Sequence, residues 1–333
     1  MSKATPISEM SKFNFGSKIL CTDGEYGILS GLTVDPTTRR LTGISIKQGR
    51  FFGKVMHASF EQILGASSDG VLLSIRREEL AAGDSSSLSG AYLDARSVVE
   101  RAGSASTGIL KLVAVQPDGG ELAYIVAHNL RPGQDIMLRA EYVTALSPQR
   151  IIVSIADEAF NALPRYRPDD ELQQDVESVL FDLTPMHIDL KAVTARVLDG
   201  VLYLDGNISS SLRSDIAQDQ VYGVEGLLEI KNNLVADDTL AADIAMALGL
   251  DPITRDLPLG VYPRLGEVRL SGAVHNAQQK AAAEEIARKF PGVRSVINDL
   301  IVDPNADMLY VMSPAEGGEM EDKVPGKYIR HTQ

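Results

Sequence analysis

The side chains able to do chemistry are few and scattered. His57, His128, His187, His275 and His331 show no HxH or HxxxH spacing and Cys21 is the single cysteine, so no set of metal ligands is written in the chain. Cys21 has Lys18 as its one near cation and sits beside a turn, a setting that leaves a thiol protonated and inert. GxSxG, GxGxxG and GxxxxGK[ST] are all absent. The paired carboxylates Asp169/Asp170, Asp237/Asp238 and Glu284/Glu285 have the composition of acid/base pairs. The aspartate pairs open helices, however, where negative charge and a capping oxygen are favoured, and the glutamates fall on the polar face of another helix. The chain reads as a non-enzyme, with no catalytic residue, cofactor or metal expected.

Two groups of cations are the binding candidates. Arg39, Arg40, Lys47, Arg50 and Lys54, with Phe51 and Phe52 among them, offer contacts to RNA phosphates, anionic lipid or an acidic protein, or else form the solvated rim of a hairpin. Lys280, Arg288, Lys289 and Arg294 surround the last helix and read either as a lipid-headgroup contact or as ordinary solvated charge. Against both stands a formal net charge of −13 over 333 residues. That excess is local. Residues 1–80 carry +2, 81–165 carry −2, and 166–240 alone carry −10. The acidic segment is a poor partner for phosphates, whereas the first segment and residues 241–303, at −1, are not excluded.

The elements that position these residues follow from composition and repetition. Hydrophobic residues are 44% of the chain, aromatic residues 5%, and Trp is absent, which fits a globular protein without aromatic stacking platforms for sugars or single strands. No stretch approaches the length of a membrane span, the first twenty residues lack the apolar core of a signal peptide, and one cysteine forms no internal disulfide, so the expected location is cytoplasmic, with a peripheral contact at the inner membrane face as the membrane alternative. AAGDSSSLSG at 81–90 reads as a flexible linker and LPRYRPDD at 163–170 as a stiff one, because Pro164 and Pro168 restrict it. Beyond Pro304 the sequence has no sustained periodicity.

The chain repeats itself twice. In the C-terminal half a shift of 66 residues carries Gly200, Leu204, Gly206, Gly226, Asn232 and Leu234 onto Gly266, Leu270, Gly272, Gly292, Asn298 and Leu300, and a shift of 68 carries Leu172, Val176 and Leu180 onto Leu240, Ile244 and Leu248. Each unit reads helix, short strands, helix, strand, with the glycines serving turns. In the N-terminal half a shift of 81 places Gly27, Ile28, Leu29, Val34 and Pro36 on Gly108, Ile109, Leu110, Val115 and Pro117. Short β-runs parted by DPTTRR and PDGG predict hairpins that close into small barrels.

Both repeats resemble known families. GEVRLSG, an amphipathic helix and FPGVRSVINDLIV resemble the BON domain, an αββαβ module of bacterial envelope and stress proteins, and GVLYLDG with GLLEIKNNL resembles a second, more divergent copy. The resemblance implies phospholipid binding or an interaction platform. GSKILCTDGEYGILSGLTVDPTTRRLTGISI followed by MHASFEQIL resembles the PRC-barrel, an adaptor family that includes a domain of a photosynthetic reaction-centre subunit and one of a ribosome-maturation factor. In the second copy Ser104 and Ala105 replace the Asp23–Gly24 turn.

The expected organisation is therefore α+β and multidomain: PRC-barrel-like modules at 13–80 and 91–160, BON-like modules at 169–236 and 237–303, and a tail at 304–333. The expected function is a non-enzymatic scaffold, its barrels docking a protein and its BON-like modules binding protein or phospholipid. Alternatives are a ribosome or RNA adaptor acting through the first barrel and ligand or cation sensing by the acidic module. A second copy of the chain is a further candidate partner.

Overall fold

Aliphatic runs broken by Asp, Gly and Pro turns become strands throughout the first half of the chain. The structure is a computed structural model that describes residues 5–48, 54–82, 89–183 and 191–305. Strands β1 (Ser11–Asn14), β2 (Lys18–Cys21), β3 (Gly24–Val34), β4 (Leu41–Lys47), β5 (Val55–Ser59), β6 (Ile63–Ser67) and β7 (Gly70–Leu73) lead to the short helix α1 (Arg77–Ala82). The series recurs as β8 (Ala91–Leu93), β9 (Val98–Arg101), β10 (Thr107–Val115), β11 (Leu122–Arg131), β12 (Gln134–Arg139), β13 (Val143–Ser147), β14 (Arg150–Val153) and helix α2 (Asp157–Ala162). The sheet orders match, β5-β4-β3-β2-β7-β6 and β12-β11-β10-β9-β14-β13.

The seventh strand of each sheet comes from the other repeat. β1 pairs with β10, Phe13 opposite Val113, while β8 pairs with β3, Leu93 opposite Leu32. The two β-turns of the duplication also bond reciprocally, the Leu41 N–H donating to the Gly120 carbonyl at 2.8 Å and the Leu122 N–H to that of Arg39 at 2.9 Å. One apolar core, running from Phe13 and Ile19 through Ile44 and Val99 to Ile151 and Phe160, serves both sheets. The C-terminal ends of the long central strands β3 and β10, which β2 and β9 are too short to reach, are thereby paired within the chain. The linear boundaries at 13 and 91 do not describe this exchange, because strands of three or four residues carry too little pattern to name their own sheet.

The outer faces of the two sheets differ. Leu112, Ala114, Tyr124 and Val126 form an apolar layer on the second, covered by Ile7, Met10 and Tyr166. A shift of 81 puts Gly31, Thr33, Gly43 and Ser45 at those positions on the first sheet. The second sheet thus has the sticky outer face.

The second half repeats a helix and sheet pattern. Helix α3 (Asp169–Asp182), β15 (Val193–Leu198), β16 (Val201–Ile208), α4 (Ser211–Tyr222) and β17 (Glu229–Ala236) make the first unit. Helix α5 (Asp237–Leu250), β18 (Leu259–Arg264), β19 (Glu267–Val274), α6 (Ala277–Arg288), β20 (Ser295–Asn298) and β21 (Ile301–Val302) make the second. The sheets are β15-β16-β17 and β18-β19-β20, with β21 also on β19. The i, i+4, i+8 spacing buries Leu172, Val176 and Leu180 in the one and Leu240, Ile244 and Leu248 in the other. Gly206 and Gly272, at φ +122° and +120°, pass so close to the preceding strand that a Cβ would sit 2.1 Å from the carbonyl oxygens of Ala192 and Pro258. No side chain fits there.

The result is a mixed α+β chain of several sheets. By contacts it divides into two compact units, one of residues up to 206 with 212–234, the other of 207–211 with 235 onward. Most of the 81–90 linker, residues 83–88, and the tail from 306 lie outside the described residues.

Candidate functional site

Each αββαβ repeat is fastened by the aspartate that begins its first helix. Asp169 accepts the N–H groups of Asp199 at 2.7 Å and Gly200 at 2.8 Å; Asp237 accepts those of Leu265 at 2.7 Å and Gly266 at 3.3 Å. These aspartates were expected to cap their helices, and the geometry corrects this. The cap positions are Pro168 and Ala236, neither of which makes a side-chain cap bond. The carboxylates turn instead to the β15–β16 and β18–β19 turns, whose amides have no ladder partner and would otherwise be left unsatisfied. The turn residues Asp199 and Leu265 both lie in the left-handed region, at φ +53° and +48°.

At Asp199 the repeats part company. Its side chain accepts a hydrogen bond from Asn14 Nδ2 at 3.3 Å and another from the Ser68 N–H at 3.0 Å, tying the first αββαβ unit to β1 and to the β6–β7 turn. The alternation of β1 explains this placement: Phe13 enters the shared core, so Lys12 and Asn14 take the opposite face. Lys12 is only 3% exposed and Asp199 2%. Burial lowers the Lys12 ammonium from its ordinary value, against the pull of Asp199, then Asp169 and Glu229. Burial raises the Asp199 carboxyl, against the Ser68 amide and Lys12. Around this centre Ser8 donates its N–H and its hydroxyl to Glu229 at 2.8 and 2.9 Å, and Arg196 pairs with Asp69. Tyr124 and Tyr166 lie beside it, their hydroxyls pushed up by burial. The Tyr124 hydroxyl is buried without a hydrogen-bond partner among the described residues.

Asp199 was not singled out from the sequence, because Asp-Gly there reads as an ordinary turn. The usable clue is its partner in the duplication, which is Leu265. A charged residue at one copy of a turn and an apolar one at the other marks a feature particular to the first unit.

The expected basic cluster is divided. Arg39 donates to the Ala140 carbonyl at 3.1 Å and Arg40 pairs with Glu121, so both are used where the two sheets meet. Lys47 lies at the far end of β4, about 20 Å along a seven-residue strand, with Lys54 across the hairpin mouth. Arg50, Phe51 and Phe52 lie outside the described residues. In the last module Lys280 donates to the Leu300 carbonyl at 2.8 Å, while Arg288 and Lys289 pair one turn back with Glu284 and Glu285. Arg294 is exposed beside Gly266.

Gly27 and Gly108 run against the carbonyls of Lys47 and His128, and Gly226 and Gly292 follow the second helix of each repeat. His128 and Lys111 share the carboxylate of Asp135 at 2.5 and 2.8 Å, while Ser45 contacts His57 at 3.1 Å. His275 is exposed, and His187 and His331 lie outside the described residues. Among the described residues no group of three or more His, Cys, Asp or Glu is placed to hold a metal ion, and no helix is long and apolar enough to cross a membrane. Cys21 is buried, and burial followed by Asp23 raises its thiol.

Residues 236–304 match the protein family described as BON domain. The osmotically-inducible protein Y of Escherichia coli (strain K12) is 26% identical over an alignment 159 residues long that covers 43% of this chain and 77% of that protein. Among solved structures, CdsD, a structural protein of the type III secretion system of Chlamydia trachomatis, is 18% identical with a TM-score of 0.33; the match covers 40% of this chain and 61% of that one. The C-terminal domain of CdsD is 16% identical with a TM-score of 0.34, over 47% and 72% of the respective chains.

Proposed function

We propose that this chain is a non-enzymatic scaffold. The N-terminal pair of sheets, PRC-barrel-like in sequence, serves as a rigid base and docks one protein partner; the two αββαβ units, BON-like in sequence, recruit a second. The observation that carries this reading is the use made of the buried charges. Asp199, with the buried Lys12 beside it, joins the first αββαβ unit to the sheets through Asn14 and Ser68, while the half-buried Asp169 fastens the turn of its own unit, so these charges are spent on holding the chain together rather than gathered at an open cleft. The BON match at 236–304 and the likeness to an osmotically inducible protein support a recruiting role under osmotic stress.

Protein is favoured over phospholipid as the partner of the αββαβ units. The first carries most of the acidic excess, and in the second Arg288 and Lys289 are already paired with glutamates. Flotation with anionic liposomes beside a pull-down at physiological salt separates the two. Recovery of a protein partner without flotation is expected; flotation of the chain would transfer the recruiting role to lipid, and neither result would remove the scaffold reading.

A further inference from the structure

We propose that the outer face of α4 is the docking surface for an amphipathic segment of a partner protein, with paired basic residues flanked by aliphatic ones. The proposal deepens the scaffold reading, naming the surface and its partner's chemistry.

Helix α4 is apolar on two sides. Its inner side buries Ala217 and Val221. On the opposite arc Leu212, Asp215, Ile216, Asp219 and Tyr222 follow one another at helical spacing, with Leu212 67% and Tyr222 81% exposed. A solvated helix face normally carries polar residues, so three large apolar side chains there are the mark of a surface awaiting cover.

The duplicated helix supplies the comparison. A shift of 66 sets Gln278, Ala282 and Arg288 of α6 where α4 has Leu212, Ile216 and Tyr222. Glu285, which stands where α4 has Asp219, is neutralised by Lys289, and Arg288 is neutralised by Glu284. Asp215 and Asp219 pair with no Lys or Arg among the described residues, and they sit one turn apart, about 6 Å. The outer face of the same element is thus polar and self-paired in one copy, whereas in the other it carries Leu212, Ile216 and Tyr222 beside two carboxylates that meet no Lys or Arg among the described residues.

Charge decides the occupant. Residues 166–240 carry −10, which repels an acidic protein, a nucleic acid or an anionic membrane. Cations placed one turn apart on the partner would meet Asp215 and Asp219, while its aliphatic residues cover Leu212, Ile216 and Tyr222.

The test is fluorescence anisotropy of the full chain with a synthetic peptide of Leu and Lys at helical spacing, beside one in which Gln replaces every Leu. The Leu/Lys peptide is expected to bind more tightly. Leu212→Gln should weaken it about tenfold and leave the Gln/Lys peptide unchanged. D215N with D219N should weaken both peptides and flatten the salt dependence, whereas Glu285→Gln in α6 should change neither. All these positions are exposed or at the surface of a helix, and circular dichroism checks that each variant is folded.

Equal affinity for the two peptides, wild-type binding by both α4 variants, or an equal loss in E285Q would overturn the proposal. So would self-association of the chain that L212Q disperses, since the occupant would then be a second copy. A partner still recovered in pull-downs when these peptide results fail leaves the scaffold reading standing and removes this surface alone.

Discussion

Replacing Asp199 with Leu puts into the first αββαβ unit the residue that the second unit already carries at the same turn. Leu265 adopts φ +48° where Asp199 has +53°, so the backbone cost of the change is one the fold tolerates elsewhere. The substitution removes two hydrogen bonds to a carboxylate, from Asn14 Nδ2 and the Ser68 N–H, and withdraws the charge that faces Lys12. Hydrogen bonds to charged groups contribute about 1.5–3 kcal/mol each. Both donors are near enough to the surface to recover some solvation, which places D199L at about 2–4 kcal/mol of destabilisation for the unit that contains it. For a unit of this size that is roughly 5–15 °C in melting temperature, read by scanning calorimetry or far-UV circular dichroism. Amide exchange should localise the effect: the Ser68 N–H loses protection while the Gly266 N–H, held by Asp237, keeps it. A melting temperature within about 1 °C of wild type, or unchanged exchange at Ser68, would refute the claim that Asp199 fastens the first unit to the sheets.

Further outcomes follow from the same geometry. Because burial raises the Asp199 carboxyl above its ordinary 3.8, there is a pH window, from 3.8 up to the raised folded value, in which the folded chain binds a proton there that the unfolded chain has released, and above it the carboxylate is charged in both. That contribution is present below 3.8 and is lost as pH rises through the folded value, so wild type should lose stability relative to Asp199→Asn as pH increases across this window; a pH-independent difference in denaturant titrations would contradict it. Gly272→Ala should destabilise the second compact unit by about 3 kcal/mol or more, through contact with the Pro258 carbonyl and the positive φ. Gly249→Ala, in helix α5 with nothing within 4 Å of the new methyl, should be neutral or stabilise by up to about 1 kcal/mol, and thermal melts of the two report whether the crowding is real.

Much of the architecture was legible in the sequence because the same order of strands and helices recurs along it. The shift of 66 that aligns Gly206 with Gly272 also aligns two strands with equal φ and equal crowding, and the shift of 81 that aligns Val34 with Val115 reproduces the sheet order. What escaped was pairing between distant segments. Ser11–Asn14 and Ala91–Leu93 are too short for periodicity to assign them to a sheet, and each crosses to the other repeat. The cations from Arg39 to Lys54 looked like one patch in one dimension, yet a seven-residue strand carries Arg40 and Lys47 to opposite ends, and Arg40 is held by Glu121 from the other repeat. Asp169 and Asp237 were recognisable as helix-start residues, but their real partners, the amides at 199–200 and 265–266, come some thirty positions later. Local propensity carries no record of such contacts.

The scaffold claim meets its most direct test in affinity capture of the full chain from lysate at physiological salt, with the captured complex then mixed with anionic liposomes. A protein partner should be recovered in fixed stoichiometry and stay with the chain in the non-floating fraction. A chain that comes through alone, binding neither protein nor lipid, would contradict the scaffold claim.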